Sequence, residues 1–263
     1  MKMAVKTKTI KPRVALAFNA PVAQITLINP PLNVIDQPMM RELSSALAEI
    51  ENRPDISVAV LSGQGQSFSA GVEVADHTPA KAAAMLAGFH AIIRALITTT
   101  KVTVAAVQGN CMGGGAELAM VCDIVITTED AQWRFPEIKL GCYPPVAATA
   151  LSALVGQKRA ADLILTGRMI SGKQAAAAGL ATRSIVADEL KTVMTELTTG
   201  LASLSPAALA LAKKSIYAWD SMHFDKGLAR AEKIYLEELI QTEDAQEGIR
   251  AFLEKRNPAW TGR

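Results

Sequence analysis

At 263 residues, half of them hydrophobic, the chain can bury a sizeable core and sits near the upper limit for one domain. Its 27 basic and 25 acidic side chains nearly cancel to a formal charge of +2, which excludes a strong whole-molecule field and makes nucleic acid an unexpected partner. Cys111, Cys122 and Cys142 form no close pair of the redox or zinc kind, and His77, His90 and His223 lack metal-ligand spacing, so reduced, packed thiols and no metal are expected.

Met1 to Arg13 carries Lys2, Lys6, Lys8, Lys11 and Arg13 with no apolar run behind it, so it reads as a solvated basic tail and not a signal peptide. Arg13 to Phe18 and Val22 to Ile28 are short β-prone runs around Asn19 and Pro21, the pattern of a hairpin. Met39, Leu43, Leu47 and Ile50 then recur at helical spacing before Pro54. Val58 to Leu61 predicts a buried strand, Ala82 to Ile97 a helix, and Val102 to Val107 another buried strand that runs into the glycine cluster Gly109 to Gly115. This alternation argues for α/β units with mostly parallel pairing, because parallel strands need a crossover. The apolar stretches are broken by Gln108, the glycines, Glu117 and Asp123, so no membrane span is expected and the cytoplasm is the default location.

Ser171 and Gln174 have capping-box spacing, Gly179 is a helix stop, and Ser205-Pro206 is a helix start. Beyond it the pattern is helical, near Ala207 to Trp219, Leu228 to Ile240 and Ala245 to Phe252. The expected division is a core over residues 1–200 and a helical region over 201–263, without repeats or a low-complexity linker.

Two turns and two acids carry the chemical signal. Gly113, Gly114 and Gly115 link a buried strand to a helix beginning near Ala116, where a bare backbone N–H can approach a ligand at the helix's positive end. Taken alone the triplet is equally a tight structural turn, and its spacing does not match a dinucleotide fingerprint. The segment Phe68-Ser69-Ala70-Gly71-Val72-Glu73 also follows a buried strand, so the two turns can present the Val72 and Gly114 amides to one oxygen. Glu117 falls in the first turn of the helix, as a helix-start charge or a site carboxylate. Glu137 follows Trp133, Phe135 and Pro136, where desolvation would raise its pKa and suit it to proton transfer, unless it is an ordinary ion-paired acid.

Phe68-Ser-Ala-Gly-Val-Glu, Gln108-Gly-Asn-Cys-Met-Gly-Gly-Gly-Ala-Glu-Leu and Phe135-Pro-Glu-Ile-Lys-Leu-Gly resemble the ordered signatures of the enoyl-CoA hydratase (crotonase) family. Leu165-Thr-Gly, Ile170-Ser-Gly, Ala178-Gly-Leu and Phe252-Leu-Glu-Lys-Arg extend the resemblance over nearly the whole chain. It implies an α/β fold, a crotonase-like spiral of ββα units with a C-terminal helical trimerisation region, assembled as a homotrimer or a dimer of trimers. It also implies an acyl-CoA thioester substrate, with no cofactor beyond the coenzyme A that is part of that substrate. The oxyanion-hole amides would come from Val72 and Gly114, and Glu117 and Glu137 would act on the reacting water. Substrate and coenzyme contacts are implied for Leu32, Val34, Ala70, Val74, Gly113, Phe252 and Lys255. For Phe252 helix packing, and for Lys255 a solvated charge, are equally open.

Cys142-Tyr-Pro-Pro-Val-Ala-Ala replaces a segment usually rich in glycine, and two prolines stiffen it. With Val72-Glu-Val-Ala-Asp-His77, it resembles the branch of the family that hydrates cyclohexa-1,5-diene-1-carbonyl-CoA in anaerobic aromatic degradation. His77 and Tyr143 then become candidates for the acyl pocket, against a capping histidine and a packed tyrosine. The rival readings are a straight-chain enoyl-CoA hydratase or isomerase and, from another class, an RNA-binding or non-catalytic acyl-CoA-binding homologue.

Overall fold

The computed structural model describes residues 12–217 and 220–263, so Lys2, Lys6, Lys8, Lys11 and Trp219 lie outside the described residues. Arg13, grouped above with the tail, is tied down instead: its Nε meets Asp36 at 3.0 Å and its Nη1 donates to Asn29 at 2.8 Å.

Strands β1 (Val14–Asn19) and β2 (Val22–Leu27) form the antiparallel hairpin. Asp36 caps α1 (Gln37–Glu51) by accepting the Met39 N–H at 2.9 Å, and the helix buries the predicted face of Met39, Leu43, Leu47 and Ile50. Then come β3 (Val58–Gly63), α2 (Ala82–Thr98), β4 (Val102–Val107), β5 (Asn110–Met112), α3 (Gly114–Met120), β6 (Ile124–Thr128) and β7 (Gln132–Arg134). The chain continues through α4 (Pro145–Val155), α5 (Gln157–Thr166), β8 (Met169–Ser171), α6 (Gly172–Ala178) and β9 (Arg183–Ile185). It ends in α7 (Leu190–Ala202), α8 (Pro206–Tyr217), α9 (Asp220–Glu237) and α10 (Glu243–Leu253). The Ser171–Gln174 capping box opens α6, and Gly179 closes it in the left-handed conformation that glycine alone adopts cheaply.

The strands make two sheets. The larger has the order β1-β2-β3-β4-β6-β9 and is parallel from β2 onward; the smaller is β5-β7-β8. Single bridges from Ser69 to Cys111 and from Ile35 to Val72 add neighbouring loop segments to this second layer. Thus β4, β5 and α3 form one ββα turn of a spiral and β6, β7 and α4 the next, each placing one strand in either sheet. Side chains alternate across the larger sheet. Val58, Val60, Val102 and Val104 meet Met194, Leu197 and Leu201 of α7 on one face, while Ala59, Leu61, Ala105 and Val107 join the main core with α1 and α2.

The helix expected to run from Leu228 to Ile240 ends at Glu237. A 3-10 turn, Leu239–Gln241, follows, and Thr242 restarts the helix by capping α10 through the Ala245 N–H at 3.0 Å. Helix α10 packs against two short 3-10 turns, Val74–Asp76 and Pro136–Leu140, that border the region described next. Among the described residues no helix is long and apolar enough to cross a membrane.

Candidate active site

The glycine turn and the Phe68 loop converge. Ile35 donates to the Gly71 carbonyl at 2.8 Å and accepts from the Glu73 N–H at 3.1 Å. In extended chain the N–H between two such partners points the other way, so Val72 presents its amide away from Ile35. It presents it to the glycine turn: a Cβ built on Gly114 would lie 3.4 Å from the Val72 nitrogen. Gly113 donates to the Arg134 carbonyl at 2.9 Å, which fixes the turn to β7. Helix α3 starts at Gly114, two residues before the expected Ala116, so the Gly114 N–H is a helix-terminal donor with no carbonyl a turn behind it. Among the described residues neither the Val72 nor the Gly114 N–H has an acceptor.

Both acids are buried beside these amides. Glu117 is 3% exposed, and its Oε1 accepts the Ala147 N–H at 2.9 Å. Pro144 and Pro145 open α4 and offer it no side-chain cap, so Glu117 serves as that helix's cap from across the pocket. Glu137 sits in the Pro136–Leu140 turn, which Gly141 closes at φ 68° and the Cys142 N–H ties to the Glu137 carbonyl at 3.0 Å. Its Oε2 is buried without a partner among the described residues. A side chain on Gly113 would collide with Glu137 Oε1, so the glycine leaves room for the acid. Burial raises the pKa of Glu117 to about 7, against the two α4 amides that oppose it. Burial also raises that of Glu137 to about 8, with the Glu117 charge adding to the rise. Two carboxyls so placed titrate as a coupled unit.

A cavity of about 60 Å³ joins these groups, lined by Ala70, Val72, Val74, His77, Gly113, Gly114, Glu117, Glu137 and Tyr143 of the residues singled out in the sequence. Gly113 contributes space there and no donor, its N–H being engaged. His77 reaches the cavity wall while its Nδ1 lies 3.1 Å from the Glu73 carbonyl, and burial lowers its pKa. The Tyr143 hydroxyl donates to the Ala231 carbonyl at 2.6 Å, leaving its ring as the wall. Leu32, Val34, Phe252 and Lys255 do not line the cavity. The Leu32 carbonyl accepts the Ala70 N–H at 2.8 Å, whereas Phe252 is 53% exposed at the end of α10. A larger hollow of about 780 Å³ between α4 and α9 also touches Tyr143, yet its walls are mostly apolar and hold neither glutamate.

Sequence reasoning passed over Asn33, Ser69, Phe89, His90 and Tyr235. Asn33 is wholly buried at φ 51° and donates to the Gln64 and Ser67 carbonyls at 2.9 and 2.8 Å. An asparagine in a Pro-Pro-Leu-Asn loop was the available signal, since asparagine tolerates the left-handed region. Ser69 Oγ donates to the Asn33 carbonyl at 2.8 Å and accepts the Gly71 N–H at 3.1 Å, which sets the loop that carries Val72. Phe89, His90 and Tyr235 line the cavity from α2 and α9.

Two amides without acceptors among the described residues and two buried carboxyls of raised pKa thus line one cavity within a two-sheet spiral of the crotonase type. The family model for enoyl-CoA hydratase/isomerase matches residues 17–263, and the chain belongs to that family as an enzyme of the enoyl-CoA hydratase type. It is 36% identical over 247 residues to the probable enoyl-CoA hydratase echA8 of Mycobacterium bovis, covering 92% of this chain and 95% of that one. It is 32% identical over 251 residues to the cyclohexa-1,5-dienecarbonyl-CoA hydratase of Thauera aromatica, covering 95% and 97%. An enoyl-CoA hydratase structure from Mycobacterium avium subsp. paratuberculosis superposes with a TM-score of 0.86 at 27% identity, over 95% of this chain and 98% of that one.

Proposed function

We propose that this protein adds water to a cyclic dienoyl-CoA thioester, with Val72 and Gly114 as the oxyanion hole and Glu117 and Glu137 as the proton-transfer pair. The thioester oxygen accepts both amides, and the glutamates hold a water over the β-carbon. One carboxylate takes the water's proton as the carbon–oxygen bond forms, and negative charge moves into the thioester oxygen. Each preorganised amide lowers that barrier by about 3 kcal/mol. In a cyclic dienoyl group the charge extends to a remote ring carbon, and protonation there completes a 1,4-addition to an allylic alcohol.

The observation that carries this reading is the pair of amides without acceptors in the same small cavity as two glutamates of raised pKa. The cyclic acyl group draws support from the flat and rigid walls, Phe89, Tyr143, Tyr235, Pro144 and Pro145, and from the likeness to the Thauera aromatica enzyme. Aromatic degradation is the metabolic setting of the same proposal, and a trimer or dimer of trimers its assembly. A straight-chain enoyl-CoA substrate is the second reading, favoured by the cavity's small volume and by the Mycobacterium bovis relative. Product analysis with cyclohexa-1,5-diene-1-carbonyl-CoA and crotonyl-CoA decides between them: a kcat/KM at least tenfold higher for crotonyl-CoA would overturn the cyclic assignment. Hydration of neither would overturn the site.

A further inference from the structure

Helix α2 turns Met85, Leu86, Phe89 and His90 toward the acyl cavity, and His90 is the polar member of that face. The imidazole is wholly buried. Its Nδ1 lies 2.5 Å from Glu232 Oε1 on α9, and the Arg94 guanidinium holds the same carboxylate oxygen at 3.3 Å. One nitrogen is therefore fully explained as a pin between two helices. The other is not: Nε2 is buried without a partner among the described residues, in a residue that lines the cavity. A pin needs one polar atom, and a second one left unpaired inside an apolar wall is unfavourable unless a ligand or a reacting proton meets it.

The arrangement is that of an imidazole oriented by a carboxylate. A carboxylate beside Nδ1 keeps the proton of neutral His90 there and leaves the lone pair on Nε2, and it stabilises the imidazolium once Nε2 gains a proton. Burial lowers the His90 pKa although Glu232 opposes it, so the neutral base is the resting form.

We propose that His90, oriented by Glu232, exchanges a proton with the acyl carbon remote from the thioester, a position that the glutamate pair on the water does not serve. This rests on the cyclic dienoyl reading above. In the dehydration direction Nε2 takes a proton from the ring carbon vinylogous to the thioester. The C–H electron pair becomes a new ring double bond, the existing double bond shifts toward the hydroxyl-bearing carbon, and the C–O bond breaks. The acidic glutamate protonates the leaving oxygen, which departs as water. Hydration is the reverse and begins when Nε2 takes up a proton from solvent: a glutamate then takes the water's proton, the imidazolium protonates the remote carbon and returns to the neutral ring, and the glutamate releases its proton to solvent. A straight-chain enoyl thioester is hydrated at adjacent carbons, where the glutamates suffice.

The test compares wild type, His90→Gln and Glu232→Gln on cyclohexa-1,5-diene-1-carbonyl-CoA and crotonyl-CoA, with melting curves as a folding control. It also follows deuterium exchange at the remote ring carbon of the allylic alcohol in D2O. His90→Gln is expected to lower cyclic turnover about 100-fold, crotonyl turnover less than tenfold, and to abolish the exchange. Glu232→Gln should show the same selectivity at about tenfold, and it keeps the test valid if His90→Gln folds poorly. Equal losses on both substrates would reduce His90 to a packing pin, and undiminished exchange in His90→Gln would remove it from the chemistry. A wild type that hydrates crotonyl-CoA but not the cyclic thioester overturns the acyl assignment and this role together.

Discussion

Glu117 caps helix α4 across the cavity: its Oε1 accepts the Ala147 N–H at 2.9 Å, two residues after a Pro-Pro start that has no cap of its own. One carboxylate thus positions the wall that carries Pro144 and Pro145 and, in the proposed mechanism, also transfers a proton. The two roles separate by substitution. Glu117→Gln keeps an oxygen for Ala147 and should fold with a near-native melting temperature, while hydratase turnover falls at least about 100-fold. Glu117→Ala removes the cap as well and should lose roughly 1 kcal/mol more in denaturant titration. Equal stability of the two variants would show that the cap is not a structural element.

The raised acids set the pH dependence of stability. A carboxyl with a higher pKa in the folded chain binds more protons folded than unfolded, so its contribution is fully present below the unfolded value and is lost as pH rises through the folded one. For this pair the window runs from about 4.5 to about 8. The melting temperature should therefore fall between pH 5.5 and pH 8.5, and Glu137→Gln should flatten that fall. A wild type that becomes more stable over the interval would mean that the pair ionises freely.

Gly114 and Gly172 distinguish a glycine needed by the site from one needed by the fold. A methyl on Gly114 would sit 2.7 Å from Val72 Cγ2 and 3.1 Å from Phe89 Cζ, inside the proposed oxyanion site. Gly114→Ala is expected to lower kcat about 100-fold through the displaced amides. A methyl on Gly172 would run into the Thr128 carbonyl, where α6 leaves the sheet. Gly172→Ala should lower the melting temperature and leave the KM of the surviving protein unchanged. Loss of kcat in both variants with equal destabilisation would contradict the assignment.

What the sequence disclosed follows the range of each interaction. The β3, α2 and β4 boundaries lay in local apolar periodicity, and the Ser171 capping box is complete within four residues, so both were legible. Glu117 was legible as an acid at a helix start, but its partner Ala147 lies 30 residues on and belongs to a helix whose own start looks uncapped. His90 was legible only as a histidine without metal-ligand spacing, because its partner Glu232 lies 142 residues away on α9. Strands β5, β7 and β8 have three residues each, too short for any alternation to register. Phe252 and Lys255 were carried over from a resemblance; neither lines the cavity, and Phe252 is exposed near the end of α10.

Asn33 shows how a residue outside the cavity governs it. Its Oδ1 accepts the Asn29 N–H at 3.0 Å, its Nδ2 holds Gln64 and Ser67, and its carbonyl receives the Ser69 hydroxyl that in turn holds Gly71, next to Val72. Removing the side chain unpairs one donor and two acceptors around a wholly buried residue, the Ser67 carbonyl within a buried bond, and leaves an alanine at φ 51°. Asn33→Ala should then cost about 3 kcal/mol in denaturant titration. Because the lost bonds set the loop that aims the Val72 amide, kcat should fall more than KM rises. Asn33→Gly relieves the backbone conformation but not the missing bonds, so it should recover only about 1 kcal/mol of the stability and little of the rate. Full recovery of both by the glycine variant would assign the whole effect to the backbone angle and leave the side-chain bonds without a role in placing the Val72 amide.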